Sequence, residues 1–244
     1  GTTHMKKYIV YEDRDILIAY KPAGIATQTA RLGQQDMVSE LKNYLSGQPQ
    51  YRGKGEPYLG LVHRLDQPVA GILVFGKTKE AAASLSRQIA EGKLHKYYYA
   101  VIYGRPEKEK GTLCDYLYKD GKTNMSCIVA EDFPQAKKAR LSYRCVNTLM
   151  ALEMQEEISL MEIELFTGRH HQIRVQMAYA GMPLLGDSKY GSEEDMEFSR
   201  QIGVKNVALC AFRLQFIHPA TGKNMKFERM PEEEIFLPFF GSGI

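Results

Sequence analysis

Hydrophobic residues in this chain occur mainly in short runs or in alternation with polar residues, the two patterns typical of β-strands. These patterns predict strands at 6–11, 16–20, 59–62, 72–75, 96–103, 123–130, 140–147, 151–154, 158–166, 208–217 and 225–228. Two long polar segments, 104–122 and 192–205, have the composition of loops, the second with a helical turn at most. The pattern therefore predicts a chain rich in strands.

Helical spacing of apolar residues is confined to a few segments. Helices are predicted over 37–45, 79–91 and 171–180, with Asp36 and Thr78 as the N-caps of the first two. Many strands, few helices and no βαβ alternation predict an α+β fold, a single domain with a large, mostly antiparallel mixed sheet flanked by helices and loops. The domain is predicted to span 5–244, because residues 1–4 resemble an expression scar ahead of Met5.

Composition and charge are those of an ordinary soluble protein. Hydrophobic residues make up 44% and charged residues 25% of the 244 residues. An excess of 32 Lys and Arg over 29 Asp and Glu gives a formal charge of +3, which permits nucleic-acid binding through a local basic face. No apolar run approaches the ~20 residues of a membrane span, and no signal sequence opens the chain, so a cytoplasmic protein without membrane association is expected.

The cysteines are too far apart to suggest a shared site. They are Cys114, Cys127, Cys145 and Cys210, with no C-x-x-C pair. A disulfide framework and a zinc site are both poorly supported. The preferred interpretation is buried free thiols in a reducing compartment.

A polar loop between two apolar runs carries the first candidate for catalysis. Residues 61–78 read LVHRLDQPVAGILVFGKT, which places His63, Arg64 and Asp66 between two predicted strands. A short loop held by two strands is rigid, and an ionised carboxylate there needs a cation or hydrogen-bond donors. Asp66 is thus a candidate nucleophile or base. On composition alone, a turn former or a surface ion pair with Arg64 explains the same residues better.

A second polar constellation changes that balance. Residues 160–191 read LMEIELFTGRHHQIRVQMAYAGMPLLGDSKYG, and the two stretches together contain H-R-L-D and G-R-x-H-Q-I-R. These motifs resemble those of the RluA family of pseudouridine synthases. Three further segments agree in order: LIAYKPAGIATQ at 17–28, KYYYAVIYG at 96–104 and LCAFRLQFIHPATG at 209–222. The resemblance spans nearly the whole chain, and no N-terminal S4-type module is expected ahead of it.

The resemblance implies an isomerase that converts uridine in RNA to pseudouridine. The reaction breaks the C–N bond between base and ribose and rejoins the base through carbon, so neither metal nor cofactor is expected. Asp66 is the implied nucleophile, and Arg174 is the implied partner that keeps it ionised and fixes its rotamer. Tyr98, in K-x-Y-x-A, is implied to stack on the uracil near the proton that leaves C5.

Five more residues are predicted to bind substrate. Arg64 resembles the family's arginine that enters the space left by the flipped-out base, although a simple phosphate contact fits it equally well. Leu209 is a candidate apolar wall opposite Tyr98, with core packing as the alternative. His63 is expected to act as a structural hydrogen-bonding residue rather than a proton carrier. The remaining members of this set are Arg169 and His171.

The sequence departs from the family pattern at two places. Val69 and Ala70 stand where Thr-Ser is usual, and His170 stands where Thr is common. The lost hydroxyls predict altered hydrogen bonding around Asp66 and keep open a catalytically impaired RNA-binding paralogue. A metal-dependent hydrolase is a weaker rival, because adjacent histidines without further ligand spacing rarely form a metal site. Its ligands would be His63, Asp66, His170 and His171.

The expected partner is structured RNA, a stem-loop of ribosomal or transfer RNA recognised by its shape. The sequence leaves open which RNA and which uridine are modified. A monomer is the expected state.

Overall fold

The structure, a computed structural model, describes residues 2–151 and 155–241, with side chains from His4 onward. The chain divides into two compact units, Gly1–His95 with Ala211–Met230 and Lys96–Cys210 with Pro231–Ile244. Strands paired in antiparallel fashion dominate each unit, and short helices accompany them. The predicted α+β class with a mostly antiparallel sheet is confirmed. A single domain over 5–244 and a scar at 1–4 stay predictions.

The elements of the described residues follow in chain order. The strands are β1 (Ile9–Glu12), β2 (Ile16–Lys21), β3 (Gly60–Leu61), β4 (Ala70–Gly76), β5 (His95–Tyr103), β6 (Lys110–Asp120), β7 (Met125–Val129), β8 (Lys137–Ala151), β9 (Glu156–Leu165), β10 (Leu209–Ile217) and β11 (Asn224–Glu228). The α-helices are α1 (Thr2–Lys6), α2 (Met37–Ser46), α3 (Lys79–Ala90), α4 (Gln172–Tyr179) and α5 (Glu193–Gln201). Two 3₁₀ turns lie at Pro49–Tyr51 and Leu237–Phe240.

The first unit is built around two buried strands. Its strands run in the order β1-β2-β4-β10, with β3 added to β4 and β11 to β10. Every residue of β2 and β4 is buried, which explains why their sequences are continuous apolar runs rather than alternations. The register pairs Lys21 with Gly71, so the end of β2 lies beside the start of β4. That is where the loop with Asp66 enters β4.

The second unit contains the strand order β5-β9-β8-β6-β7, with antiparallel neighbours throughout. Strand β8 is long and carries a register irregularity between Cys145 and Asn147. Helix α4 is short and buried around most of its circumference, including the polar side chains of Gln172, Arg174 and Gln176. A helix with buried polar side chains needs hydrogen-bond partners inside the protein. The partner of Arg174 is described with the candidate site below.

The predicted helix starts are confirmed at both N-caps. The Asp36 carboxylate accepts a hydrogen bond from the Ser39 N–H at 2.7 Å, at the start of α2. The Thr78 hydroxyl accepts one from the Ala81 N–H at 3.0 Å, at the start of α3. Each cap satisfies one of the amides that a helix leaves unpaired in its first turn. None of the described helices is long and apolar enough to cross a membrane.

Two segments predicted as loops are regular elements. Residues 104–122 contain β6, which was missed because most of its residues are exposed or half-buried and only Leu117 is buried, so apolar and polar positions hardly contrast. Residues 192–205 contain α5, whose Ser192 hydroxyl caps the Asp195 N–H. Acidic residues in its first turn interact favourably with the helix dipole. Only Phe198 and Ser199 of this helix are buried, so its apolar face is too narrow to give a clear helical pattern in the sequence.

Two smaller predictions also change. The separate strands predicted at 140–147 and 151–154 are a single strand, β8, up to Ala151, and residues 152–154 lie outside the described residues. The four cysteines are free thiols as predicted, but only Cys210 is buried, while Cys114 and Cys127 are exposed.

Candidate active site

The predicted site residues fall in both units. The first unit carries His63, Arg64 and Asp66 on one loop between β3 and β4. Within it, Asp66 is half-buried, Leu65 beside it is buried, and Arg64 is exposed. The Val69 N–H donates to the carbonyl of Asp66 at 2.9 Å, which closes a tight turn around the carboxylate.

A buried threonine braces the loop beside Asp66. The Thr27 hydroxyl donates to the carbonyl of Leu65 at 2.8 Å and accepts from the Leu65 N–H at 3.2 Å. The backbone N–H and C=O of Leu65 are thereby both hydrogen-bonded although they are buried away from water. The backbone on the N-terminal side of Asp66 is fixed as a result.

A buried lysine braces the other side of the loop. Lys21 is fully buried, and its ammonium donates to the carbonyls of Pro22, Ile25 and Gln67 at 3.1, 2.6 and 3.0 Å. An ammonium has three N–H donors, and these three carbonyls can accept all of them. Gln67 also exchanges hydrogen bonds with the backbone of Gly24, at 2.8 Å and 2.9 Å. The segment K-P-A-G, which begins at the last residue of β2, thus holds the residue after Asp66.

The departures at Val69 and Ala70 leave this bracing intact. Both side chains are buried, at 2% and 1% exposure, and pack as apolar groups. The next residue, Gly71, has φ of 145°, and a Cβ there would lie 2.5 Å from the backbone nitrogen of Ala211. Glycine is required by that close approach. In this chain Lys21 and Thr27 supply hydrogen bonds that hold the loop.

The two other polar residues of the loop make different contacts. The Val74 N–H donates to Nε2 of His63 at 3.0 Å, so this ring nitrogen is unprotonated and acts as an acceptor. This agrees with the predicted structural role of His63. The guanidinium of Arg64 donates to the carbonyl of Gln28 at 2.7 Å while its side chain remains exposed. An exposed planar cation is available to a nucleic acid, either as a stacking group or as a phosphate ligand.

Tyr98 lies in the second unit, in the middle of β5. It is 6% exposed and pairs with Ile163 of β9. Its neighbour Tyr99 is also buried, at 8%, and its ring lies 5.2 Å from the ring of Phe240. Since successive side chains of a strand point to opposite faces, Tyr98 lies on the other face from Tyr97 and Tyr99, as predicted.

Arg174 of α4 forms a buried ion pair that sequence reasoning missed. Its Nε donates to Oδ2 of Asp187 at 3.0 Å, and a terminal nitrogen donates to Oδ1 at 2.9 Å. The two side chains are 5% and 1% exposed. A bidentate pair of this kind fixes the plane of the guanidinium. Asp187 lies within the matching stretch 160–191, but nothing in its spacing indicates this partner. The pairing of Arg174 with Asp66 stays a prediction.

A hydrogen-bonded aromatic cluster lies next to that ion pair. The ring of Tyr190 lies 5.3 Å from the Arg174 guanidinium, and its hydroxyl is 2.6 Å from Nδ1 of His171. The rings of His171 and His170 stack with centroids 3.7 Å apart, and Nδ1 of His170 is 2.8 Å from the Ser126 hydroxyl. His170, which departs from the family pattern, therefore belongs to a connected network. Substrate contact by His171 stays a prediction, because this side chain is 9% exposed.

Arg169 and Leu209 have contrasting environments. Arg169 is exposed, and its Nε donates to the carbonyl of Lys138 at 2.8 Å. Leu209 is 5% exposed at the start of β10. Arg169 is thus available to a ligand, whereas the burial of Leu209 agrees equally with core packing and with an apolar wall. Their roles toward substrate stay predictions.

The described residues contain one three-residue group with spacing suitable for a metal ion, formed by Asp13, Asp15 and His218. It does not include the ligands proposed for a hydrolase. Asp13 already accepts hydrogen bonds from the backbone N–H groups of Asp15 and Ile16 and lies 2.7 Å from Nε2 of His218. These contacts describe a braced turn rather than a metal centre.

Comparison with known proteins identifies the family of the chain. The sequence profile of the family described as RNA pseudouridylate synthase matches residues 15–179. The chain belongs to this family. An uncharacterized RNA pseudouridine synthase, YlyB of Bacillus subtilis, is 34% identical over 227 residues, which are 92% of this chain and 69% of the relative. Ribosomal large subunit pseudouridine synthase D of Zymomonas mobilis is 33% identical over 230 residues, with the same two coverages.

Solved structures show the same fold. Human RNA pseudouridylate synthase domain containing 4 superposes with a TM-score of 0.75 at 20% identity, over 99% of this chain and 95% of that one. Human RNA pseudouridylate synthase domain containing 1 gives 0.69 at 24% identity, over 91% and 82%. The predicted resemblance to RluA-type enzymes is confirmed, and the chain is an RNA pseudouridine synthase, an isomerase.

Proposed function

We propose that this chain isomerises specific uridines of structured RNA to pseudouridine with Asp66 as the nucleophile. The observation that carries the proposal is the bracing of the Asp66 loop by Thr27 and Lys21, each through hydrogen bonds to the loop backbone. A nucleophile must be held within a small distance of its productive position, and a loop fixed on both sides of the carboxylate does this. The family membership of the chain supports the reaction itself.

The reaction can be followed bond by bond. The Asp66 carboxylate attacks either the ribose or the base, and the C–N glycosidic bond breaks with its electrons on the base. The base turns, C5 forms the new bond to the ribose, and the bond to Asp66 breaks, which regenerates the carboxylate. The C5 proton then leaves and N1 gains a proton, so the product has the same atoms as the substrate. Tyr98 stacks on the uracil in this scheme, with its hydroxyl near C5.

The predicted role of Arg174 is to stabilise the ionised form of Asp66 as a permanently charged guanidinium. Asp187 supports this role indirectly, because the bidentate pair fixes the orientation of Arg174 and prevents it from rotating away. A guanidinium carries five N–H donors, so one that gives two of them to a carboxylate can also donate to a second carboxylate. Arg174 is therefore suited to join two acidic groups.

The target uridine must leave its stack before it can reach Asp66, at a cost of a few kcal/mol. The exposed guanidinium of Arg64, two residues from Asp66, is our candidate for the group that takes its place. His63, Leu209, Arg169 and His171 complete the proposed substrate-binding set.

Ribosomal RNA is the favoured substrate class, because relatives over most of this chain are named as ribosomal large subunit pseudouridine synthases. A stem-loop is the expected recognition element, since RNA-binding proteins read unstacked bases in loops far more readily than bases in a duplex. A monomer in the cytoplasm, working without metal or cofactor, completes the proposal.

A catalytically impaired RNA-binding paralogue is the alternative, suggested by Val69 and Ala70. The structure weakens the reason for it, because the loop has other braces and the two apolar side chains are buried. The two functions differ in a single measurable outcome, the formation of pseudouridine.

The deciding experiment maps pseudouridine chemically in total RNA from cells that carry wild-type protein, a deletion, or Asp66→Asn. Asn is similar in size to Asp but is not a nucleophile. Sites that disappear in both the deletion and the Asp66→Asn strain would establish the reaction, the nucleophile and the substrate together. If the deletion removes no site, the proposed function fails and the RNA-binding alternative replaces it. If Asp66→Asn retains the sites, the assignment of the nucleophile fails.

A further inference from the structure

Lys96, near the start of β5, is a half-buried cation of the second unit. Its amine forms no hydrogen bond or ion pair with the described residues. Burial lowers the pKa of this ammonium below its ordinary value, with no acidic side chain contributing in the opposite direction. A desolvated cation without a counter-ion is costly, so such groups usually have a partner.

The surroundings of Lys96 explain the burial. In the antiparallel register Lys96 lies opposite Leu165 of β9, which is 8% exposed. Residues directly opposite each other in a sheet share a face, so the stem of Lys96 runs along an apolar neighbour. A Cβ added to Gly168 would lie 3.2 Å from Nζ of Lys96, which is its only neighbour within 4 Å among the described residues apart from 167–169. The amine therefore lies beside the glycine of the motif G-R-x-H-Q-I-R.

The same register places Lys96 close to Tyr98. The two residues are separated by one position in β5, so their side chains lie on the same face, roughly 7 Å apart along the strand. Tyr98 is the residue proposed above to stack on the uracil. A cation at that distance from a stacked base is well placed for the phosphate of the same nucleotide or of a neighbour.

The residue after Gly168 adds to the positive charge. Arg169 is exposed, with its Nε held by the carbonyl of Lys138 at 2.8 Å. The backbone N–H of Arg140 donates to the Thr167 hydroxyl at 2.9 Å, so Arg140 lies next to the segment that contains Gly168. The centre of its guanidinium lies 4.4 Å from the centroid of the Phe166 ring. Exposed basic and aromatic side chains in one segment are typical of surfaces that bind single-stranded RNA.

We propose that Lys96 binds a backbone phosphate of the RNA substrate, at or next to the nucleotide whose base stacks on Tyr98. The proposal rests on the proposed function. A phosphodiester is the ligand that the site favours, because it supplies the negative charge that Lys96 lacks and reaches a partly buried amine with a single oxygen. Gly168 leaves the space above the backbone open for that oxygen.

The test compares Lys96→Gln and Lys96→Arg with wild type, and uses Lys108→Gln as the control. Lys108 is exposed and follows the opposite end of β5, so its substitution removes the same charge from another place. The affinity for a stem-loop RNA that wild type modifies is measured between about 50 and 200 mM salt. Lys96→Gln is expected to weaken binding roughly tenfold and to reduce the salt slope by about 1, while Lys96→Arg and Lys108→Gln stay close to wild type.

Neutral linkages identify the phosphate. Single methylphosphonates are introduced around the target uridine, one linkage at a time. At one linkage wild type is expected to lose roughly tenfold in affinity, whereas Lys96→Gln loses nothing there, because the contact is already absent. If every neutral linkage weakens both proteins equally, Lys96 binds no phosphate and the inference is overturned.

Kinetics distinguish a phosphate contact from a proton-transfer role. For a phosphate contact, Lys96→Gln raises KM and leaves kcat at saturating RNA nearly unchanged, and Lys96→Arg restores KM. A fall in kcat that Lys96→Arg fails to restore would show that the amine acts as a base, and would overturn the inference. Unchanged melting temperatures show that the variants fold. If wild type forms no pseudouridine in any RNA, the proposed function has failed; if it does and Lys96→Gln equals Lys108→Gln, only this inference has failed.

Discussion

The loop around Asp66 and the helix that carries Arg174 are held in place by different means. In the first unit, Lys21 and Thr27 hold the loop through hydrogen bonds to its backbone, at the carbonyl of Gln67 and at both backbone groups of Leu65. In the second unit, the Arg174 guanidinium is paired with the carboxylate of Asp187, both being side chains and both charged. The contacts in the first unit fix the backbone of the loop, and those in the second fix the orientation of the Arg174 guanidinium.

This difference matches what each region is proposed to do. A nucleophile depends on where its backbone places it, so the Asp66 loop is stabilised through its carbonyl and amide groups. A charged partner depends on the orientation of a long, flexible side chain, so Arg174 is stabilised at its tip. Substitutions in the two regions should therefore have different effects: those in the first shift the loop, and those in the second remove one member of a buried ion pair.

The largest effect is expected for Asp187→Ala. It leaves the buried guanidinium of Arg174 without its carboxylate, which costs about 3–5 kcal/mol of unfolding free energy. Glu197→Ala is the control, because it breaks an exposed pair with Arg200 in the same unit and should cost under about 1 kcal/mol. Urea denaturation of both variants measures the contrast. Equal losses would show that burial of the Arg174 pair contributes nothing.

A smaller loss is expected for Lys21→Met, which keeps a long apolar stem but removes the ammonium. The three carbonyls of Pro22, Ile25 and Gln67 lose their shared donor, and part of this cost is offset because a buried charge also disappears. We expect a loss of about 2–3 kcal/mol together with a fall in kcat. Lys42→Met is the control, since Lys42 pairs with Glu56 at the surface. A variant with full kcat would mean that Lys21 does not position the loop.

Much of the fold could be predicted from the sequence, because apolar runs such as β4 and caps such as Asp36 depend on local pattern alone. Segments with weak apolar contrast, such as β6, could not. The site divides in the same manner. Asp66, Tyr98 and Arg174 were identified through motifs, whereas the braces at Thr27 and Lys21 depend on contacts across 38 and 46 residues of sequence. Nothing in the local sequence around a threonine indicates that its hydroxyl will form hydrogen bonds with backbone groups far along the chain.

Thr27→Val is expected to cost less than Lys21→Met, about 1–2 kcal/mol, because it leaves one buried amide and one buried carbonyl of Leu65 without a partner. The shape of the side chain is preserved, so packing changes little. Thr27→Ser keeps the hydroxyl and serves as the control, with stability and kcat near wild type. Chemical denaturation and single-turnover pseudouridine formation measure the two quantities. If Ser and Val behave alike, the hydroxyl is not the brace.

The smallest effect concerns Asp13, where the first unit again uses a side chain to hold backbone groups. Burial alone would raise the pKa of this carboxyl, but hydrogen bonds from the Ile16 and Asp15 amides, Tyr11 and His218 outweigh it and lower the pKa from 3.8 to about 2. Because the folded pKa lies below the unfolded one, the stabilisation is present above about pH 4 and is lost as the pH falls toward about 2.

The sign of this effect can be measured with Asp13→Asn, whose amide oxygen can still accept from the turn but does not titrate. The difference in urea midpoint between wild type and Asp13→Asn should be constant near neutral pH and should shrink as the solution is acidified below about pH 4. A difference that stays constant down to the acid limit would contradict the lowered pKa. A difference that shrinks would show that a carboxylate bound by main-chain donors stabilises this turn, by the same means of holding backbone that Lys21 and Thr27 use around Asp66.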